Sequence, residues 1–297
     1  MNIIETNSLT KDYGEGKGIF DISLSIEQGE IYGYLGPNGA GKSTTLRHLM
    51  GFSRADSGSA SIMGFDCWKE QKKIQPRLGY LPGEISFPDD MTGEKYLKLI
   101  ARMRKMKDFS RAEKLLSLFK INPGTGLKRM SKGMKQKIGI TAAFMHEPDI
   151  ILLDEPTSGL DPLMQNTFIE LLKQEKQKGR TIIMSSHIFE EVEKTCDRVG
   201  IIKNGKIIQE ISVDQLTRSK MKTYTVELSD SSAAEKFSAG YPGSLRAENS
   251  VTLSINDAEL NGLIASLAQY EVLSLSEEKH TLEEYFMKFY GGEAQNV

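Results

Sequence analysis

The octapeptide Gly36-Pro37-Asn38-Gly39-Ala40-Gly41-Lys42-Ser43 constrains this chain more than any other feature. It runs out of the apolar segment IYGYL and into TLRHLMG, so it reads as strand, glycine-rich loop, helix. The glycines keep side chains out of the loop, and consecutive backbone N–H groups can then point inward at an anion. The N-terminus of the following helix adds partial positive charge. Lys42 is placed to reach the β- and γ-phosphates of a nucleotide, and the Ser43 hydroxyl is placed to meet Mg²⁺. Thr44 completes the expected nucleotide-binding set.

A second feature completes such a site. Ile150-Ile151-Leu152-Leu153 is a short apolar run that ends on Asp154 and Glu155. A buried strand of this kind delivers two carboxylates beside the phosphate loop. Asp154 is expected to hold Mg²⁺ through water, and Glu155 to accept a proton from an attacking water. Loop and carboxylates together predict a P-loop nucleoside triphosphatase. A small-molecule kinase or a small GTPase shares both features, so they do not decide the function.

The rest of the chain predicts an α/β fold. Ile22, Leu24 and Ile26 alternate with polar residues, as in a half-buried strand. From Pro88 to about Phe119 the pattern is helical, with Tyr96, Leu97, Ile100 and Met103 on one face and Arg102, Arg104, Lys105 and Lys107 on a solvated one. Further helices are expected from Ser131 to before Pro148 and from Gln165 to about Lys178, each leading to an apolar strand. Asn204-Gly205 favours a tight hairpin inside VGIIKNGKIIQE. Strands alternating with helices predict a mostly parallel, helix-covered sheet. Composition shifts near Asp214. The order strand, helix, strand, strand, helix, strand that follows matches the split βαβ pattern of a ferredoxin-like α+β domain. A last helix, HTLEEYFMKFY, starts with a capping box of Thr281 and Glu284 and places Leu282, Tyr285, Phe286 and Phe289 on one face. The expected division is an ATP-binding domain over 1–213, with a helical subdomain about 84–146, and an accessory domain over 214–297.

Composition narrows the partners. The formal net charge is -2, so no basic excess favours nucleic acid. Two cysteines, Cys67 and Cys196, suit neither a disulfide framework nor a zinc site. The first residues do not read as a signal peptide, and no run approaches the ~20 apolar residues of a membrane span.

The order of motifs carries a resemblance. Met130-Ser131-Lys132-Gly133-Met134-Lys135-Gln136 opens the helix before the carboxylate strand and resembles the signature segment of ABC ATPases, usually Leu-Ser-Gly-Gly-Gln. Ser131 and Gly133 match; Met130, Lys132 and Met134 depart. Asp154-Glu155-Pro156-Thr157-Ser158-Gly159-Leu160-Asp161 resembles the joined catalytic and D-loop segment, ending on Asp161. His187 matches the switch histidine, and Tyr13 the aromatic that stacks on adenine. Where the family commonly has a glutamine that contacts Mg²⁺ and water, this chain has Gly83 after Tyr80-Leu81-Pro82. Glu84, one residue on, carries an oxygen that can serve instead.

The resemblance covers roughly residues 3–215, and it alone implies an antiparallel β part beside the parallel sheet. It implies the ATP-hydrolysing subunit of an ABC transporter, with ATP and Mg²⁺ as cofactors, in a homodimer or heterodimer. There the signature residues Ser131, Lys132, Gly133 and Met134 of one chain close over the nucleotide of the other. The implied partners are separate transmembrane permease subunits, which would hold the chain at the cytoplasmic face of the cell membrane. The signature style, Tyr-Leu-Pro-Gly-Glu and the final Leu-Glu-Glu-Tyr-Phe look like bacterial exporters of peptides, antibiotics or lipids. The alternative is a soluble ABC ATPase acting on ribosomes or DNA. Against it, the chain has one phosphate loop and too short an interval between Gly83 and Ser131 for a long coiled coil.

Overall fold

The computed structural model describes residues 2–214, 221–256, 259–278, 282, 283 and 286. The chain divides into two compact units, Met1–Val213 and Asp214–Val297.

The first unit holds two sheets. The antiparallel one contains β1 (Asn2–Asp12), β2 (Gly18–Glu27), β4 (Ser57–Ile62) and β5 (Phe65–Asp66), in the order β2-β1-β4-β5. The alternation read at Ile22, Leu24 and Ile26 is real: all three are buried, and they share a core with Leu46 and Leu49. Those leucines lie on α1 (Lys42–Leu49). The six-stranded sheet runs β10-β9-β3-β8-β7-β6. Its strands are β3 (Ile31–Leu35), β6 (Leu78–Leu81), β7 (Ile150–Asp154), β8 (Thr181–Ser186), β9 (Arg198–Lys203) and β10 (Lys206–Ser212). Neighbouring pairs are parallel except the β9–β10 hairpin. That hairpin turns on Asn204 and Gly205, both at positive φ, which the primed turns of tight hairpins require. Every residue of β3, β7 and β8 is buried, as expected for strands covered on both faces.

The short α2 (Gln71–Ile74) precedes β6. Between β6 and β7 lie α3 (Gly93–Met103), α4 (Ser110–Leu118) and α5 (Lys132–Phe144). Four sequence expectations are corrected here. The helical stretch is broken after Met103, where Lys105 takes a φ of 54°. Met103 is 70% exposed rather than on the apolar face. Arg104 does not belong to the solvated face: its guanidinium turns inward and donates to Gln75 O at 3.3 Å and Leu78 O at 3.1 Å. Past β7, α6 (Pro162–Gln177) starts three residues before the expected Gln165, because Asp161 caps it and Pro162 takes its first position. The helix α7 (Phe189–Thr195) joins β8 to β9.

The second unit has β11 (Met221–Leu228), α8 (Ser231–Ala239), β12 (Leu245–Ala247), β13 (Ser250–Asn256), α9 (Leu260–Leu267) and β14 (Val272–Glu278). All its pairings are antiparallel, in the order β12-β13-β11-β14. This is the expected ferredoxin-like arrangement: β13 lies between the two strands joined by α8. Val226, Leu228, Val251 and Leu253 bury one sheet face against Phe237 and Leu263 from the helices. Of the expected last helix, Leu282 and Phe286 are buried; Thr281, Glu284, Tyr285 and Phe289 lie outside the described residues.

Candidate nucleotide site

The C-terminal ends of the parallel strands bring Lys42, Asp154, Glu155 and His187 together. In open α/β sheets ligands bind at this edge, where loops leave the sheet. β3 ends at Leu35, and the phosphate loop follows. Gly36 N–H donates to Ser186 O of the neighbouring strand at 3.3 Å, which pins the loop to β8. The loop turns into α1 through Gly41 at φ 111°. A Cβ there would lie 2.8 Å from Ile19 Cγ2, so no other residue fits without displacement. Pro37, Asn38 and Gly39 are exposed at the loop tip; Ala40 is buried beneath it. Ser43 and Thr44 are half-buried in the first turn of α1.

Lys42 is only 5% exposed. Its Nζ donates to Gly36 O at 2.6 Å and Pro37 O at 3.1 Å and lies 3.7 Å from Glu155 Oε1. Burial lowers its pKa, while the charges of Glu155 and Asp154 pull it back up. The Lys42 ammonium lies at the centre of its own loop, held by carbonyl groups that a phosphate can replace.

β7 delivers the carboxylates. Asp154 is buried, and Oδ1 accepts the Ser185 hydroxyl at 2.5 Å. Glu155 takes a left-handed φ of 47°, which costs an ordinary residue about 1–2 kcal/mol. Its N–H compensates by donating to both Ser185 O (3.2 Å) and Ser185 Oγ (3.1 Å). The turn redirects the side chain so that Glu155 Oε1 faces Lys42 and lies 3.2 Å from His187 Nδ1. A carboxylate in that position favours the tautomer with the proton on Nδ1. Ser185 is thus a functional residue that the motifs did not reveal; its only sequence signal is a pair of serines ending an otherwise apolar strand.

Ser131 caps α5: its Oγ accepts Met134 N–H at 3.3 Å. Capping uses a lone pair, so the O–H remains able to donate outward. Ser131 and Lys132 are exposed, and Gly133 and Met134 half-buried. Gly133 is dictated by a close approach, since a Cβ there would meet Gly159 O at 2.4 Å. Asp161 is exposed and caps α6, with Oδ1 accepting Met164 N–H at 3.0 Å. Tyr13 is 56% exposed, with Lys11 Nζ 5.7 Å from its ring centre. Glu84 is exposed on the loop after β6. A Cβ on the preceding Gly83 would lie 3.3 Å from Asp154 Oδ2, so this loop borders the carboxylates.

Among the described residues, no group of three or more His, Cys, Asp or Glu could hold a metal. A hydroxyl and one or two carboxylates suit Mg²⁺, which is usually held jointly by such oxygens and substrate phosphates. Nor, among the described residues, is any helix long and apolar enough to cross a membrane.

Comparison with known proteins agrees with this geometry. The family model described as "ABC transporter" matches residues 19–158. A model described as "AAA domain, putative AbiEii toxin, Type IV TA system" matches 125–193, a stretch without the phosphate loop. The chain is 33% identical to the bacitracin transport ATP-binding protein BcrA of Bacillus licheniformis, covering 98% of both proteins. It is 36% identical to the linearmycin resistance ATP-binding protein LnrL of Bacillus subtilis (strain 168), over 69% of this chain and 68% of that one. A solved ATP-binding subunit of an ABC transporter matches with 31% identity and a TM-score of 0.66, over 73% of this chain and 92% of that one. A dimeric, post-hydrolysis ATP-binding cassette bound to ADP and Pi shares the fold at 22% identity and a TM-score of 0.65, over 71% of this chain and 99% of that one. A phosphate loop, two carboxylates and a histidine on one sheet edge, with relatives matched from end to end, place this chain in the family of ABC transporter ATP-binding subunits, which hydrolyse ATP to power transport.

Proposed function

We propose that the chain powers export through separate membrane permease subunits, as a peripheral ATPase at the cytoplasmic face of the cell membrane. The observation that carries the catalytic part is the convergence of Lys42 and His187 on Glu155 Oε1, next to the buried Asp154. In this reading residues 1–213 are the ATP-binding domain and 214–297 an accessory domain. Tyr13 stacks on adenine. Backbone N–H groups of the loop from Asn38 to Thr44 and the Lys42 ammonium hold the phosphates. Ser43 and, through water, Asp154 hold Mg²⁺, which neutralises phosphate charge when bound. Glu155 takes the proton of the attacking water, and His187 fixes its carboxylate. Two chains, identical or not, pair so that Ser131, Lys132, Gly133 and Met134 of each close on the other's nucleotide. Asp161 lies beside that junction. The cargo class, a peptide, antibiotic or lipid, rests on the resemblance of the motifs to bacterial exporters, and the bacitracin and linearmycin roles named for two relatives support the antibiotic among these.

The test is co-purification of the tagged full chain from membranes, followed by antibiotic survival of cells expressing it with its membrane partners. Expected are a retained permease and raised resistance to a peptide antibiotic; Lys42→Ala should keep the permease and lose the resistance. Recovery of the chain on ribosomes, with no membrane subunit, would overturn the transport reading.

Glu84 serves, in the same proposal, as the oxygen-bearing side chain at the place of the usual glutamine. Glu84→Gln is expected to keep most of the ATPase rate, and Glu84→Ala to fall by about 10²-fold, the lower end of general acid–base effects. Wild-type rates in both variants would reduce Glu84 to a solvated loop carboxylate.

A further inference from the structure

One buried amide joins two parts of the molecule that the proposed dimer assigns to different nucleotides. Gln136 is 2% exposed on α5. Its Nε2 donates to Pro156 O at 2.7 Å and to Glu155 O at 3.4 Å. These are the carbonyls of the left-handed turn that aims the Glu155 side chain at Lys42 and His187. Ser131, which caps the same helix, precedes Gln136 by five residues, about 7.5 Å along the axis. Between them, the first turn of α5 rests on the chain that follows Glu155. A Cβ on Gly133 would clash with Gly159 O at 2.4 Å, and one on Gly159 would meet the Lys132 stem at 3.0 Å. The segment from Glu155 to Gly159 is therefore gripped at two levels by one helix, with no slack at either.

We propose that Gln136 is a positioning residue that couples the two ATP sites of the dimer. It ties the catalytic turn of a chain's own site to the signature end that the same chain presents to its partner's nucleotide. A helix transmits displacement along its axis because its backbone bonds are internal. When Ser131 is drawn onto a γ-phosphate of the partner site, α5 carries that shift through Gln136 to the Glu155 and Pro156 carbonyls. Conversely, a Glu155 turn out of place moves the signature. Gln136 touches neither nucleotide. The inference rests on the two-chain reading above, and its test separates the two.

The experiment uses mixed dimers of full-length chains with a single live site. One chain carries Lys42→Ala and supplies Ser131; the other carries Ser131→Arg and supplies Lys42 and Glu155. Activity of this pair is the condition for the two-chain reading itself, and a pair shown to be dimeric yet inactive counts against that reading, not against Gln136. Into the active pair Gln136→Met is placed in either chain. Methionine keeps the unbranched length and has no N–H to donate. The expected result is a loss of about tenfold in both arms, the scale of one buried hydrogen bond to an otherwise unsatisfied carbonyl. A loss confined to the chain supplying Glu155 overturns the coupling, because it leaves Gln136 a purely local support. Unchanged rates in both arms overturn it as well. Thermal midpoints identify a variant that folds poorly, and Gln136→His then decides, since its ring N–H donates from a similar reach. Recovery in both arms with histidine upholds the coupling; failure to recover in the signature-supplying arm overturns it.

Discussion

Glu155→Gln is expected to bind MgATP with nearly unchanged affinity and to lose about 10²–10⁴-fold in turnover, the usual range for removing a general base. The substitution changes little else. Gln fills the same volume, and the N–H of residue 155 still donates to Ser185 O and Oγ, so the left-handed turn survives. Lys42 loses the charge at 3.7 Å but keeps Gly36 O, Pro37 O and the charge of Asp154. An amide oxygen can still accept from His187 Nδ1–H. What the amide cannot do is take a proton from water. Binding and chemistry should therefore separate: equilibrium nucleotide binding unchanged, single-turnover hydrolysis nearly stopped. Because ADP never forms, ATP-bound dimers should accumulate on a sizing column. Turnover close to that of the unmodified chain would remove Glu155 from the role of base. Glu155→Ala adds a control, since it also deletes the acceptor for His187.

Much of this site was legible because its parts are contiguous in sequence. A glycine-rich loop between an apolar strand and a helix has few other structural solutions, and the loop lies where such a segment must, at the end of β3. Asn204-Gly205 announced its hairpin for a backbone reason, positive φ at both residues. The order of elements in the second unit likewise prescribed its sheet order. The less legible features depend on residues distant in sequence. Nothing near Ser185 shows that Asp154, 31 residues earlier, will share its hydroxyl. Gln136 looks like one more polar position on an amphipathic helix until β7 places the Glu155 turn beside it. Arg104 sits in a run of charges that reads as solvated, yet the carbonyls of Gln75 and Leu78 draw it inward. Helical periodicity also misassigned Met103, which is exposed at the last position of its helix. The left-handed Glu155 has no composition signal at all, because glutamate is not a residue that favours that backbone.

Lys42→Ala and Ser131→Arg are each expected to be inactive alone and to regain part of the activity when the two chains are mixed. Lys42→Ala removes the cation at the centre of the phosphate loop, so that chain's own nucleotide loses its strongest single contact. Ser131→Arg deletes the cap of α5, at a cost of about 1 kcal/mol. It also puts a long side chain on an exposed surface that must meet the partner's γ-phosphate. In a homodimer of either variant, both composite sites carry one defect. In the mixed dimer one site collects both defects and the other collects none, because it combines the intact Lys42 of one chain with the intact Ser131 of the other. With random pairing half the dimers are mixed, so recovery should approach a quarter of the unmodified rate if sites fire independently. The energetics permit such a switch. Moving a dimer from mostly open to mostly closed takes ~5.5 kcal/mol of preference by ATP. Two to four charge-assisted hydrogen bonds to a γ-phosphate, at about 1.5–3 kcal/mol each, reach that figure. ADP lacks those acceptors, so the closed state loses its advantage once hydrolysis is complete. Recovery measured against total ATPase in the mixture, with heterodimers quantified by differential tags, reads the arrangement directly. Heterodimers that form and stay inactive, while the single-site Gln136 pairs above are inactive too, would show that the signature does not act across the interface, unless both sites must fire together; a tandem fusion with one wholly intact site then distinguishes the two, since it is active only if one site suffices.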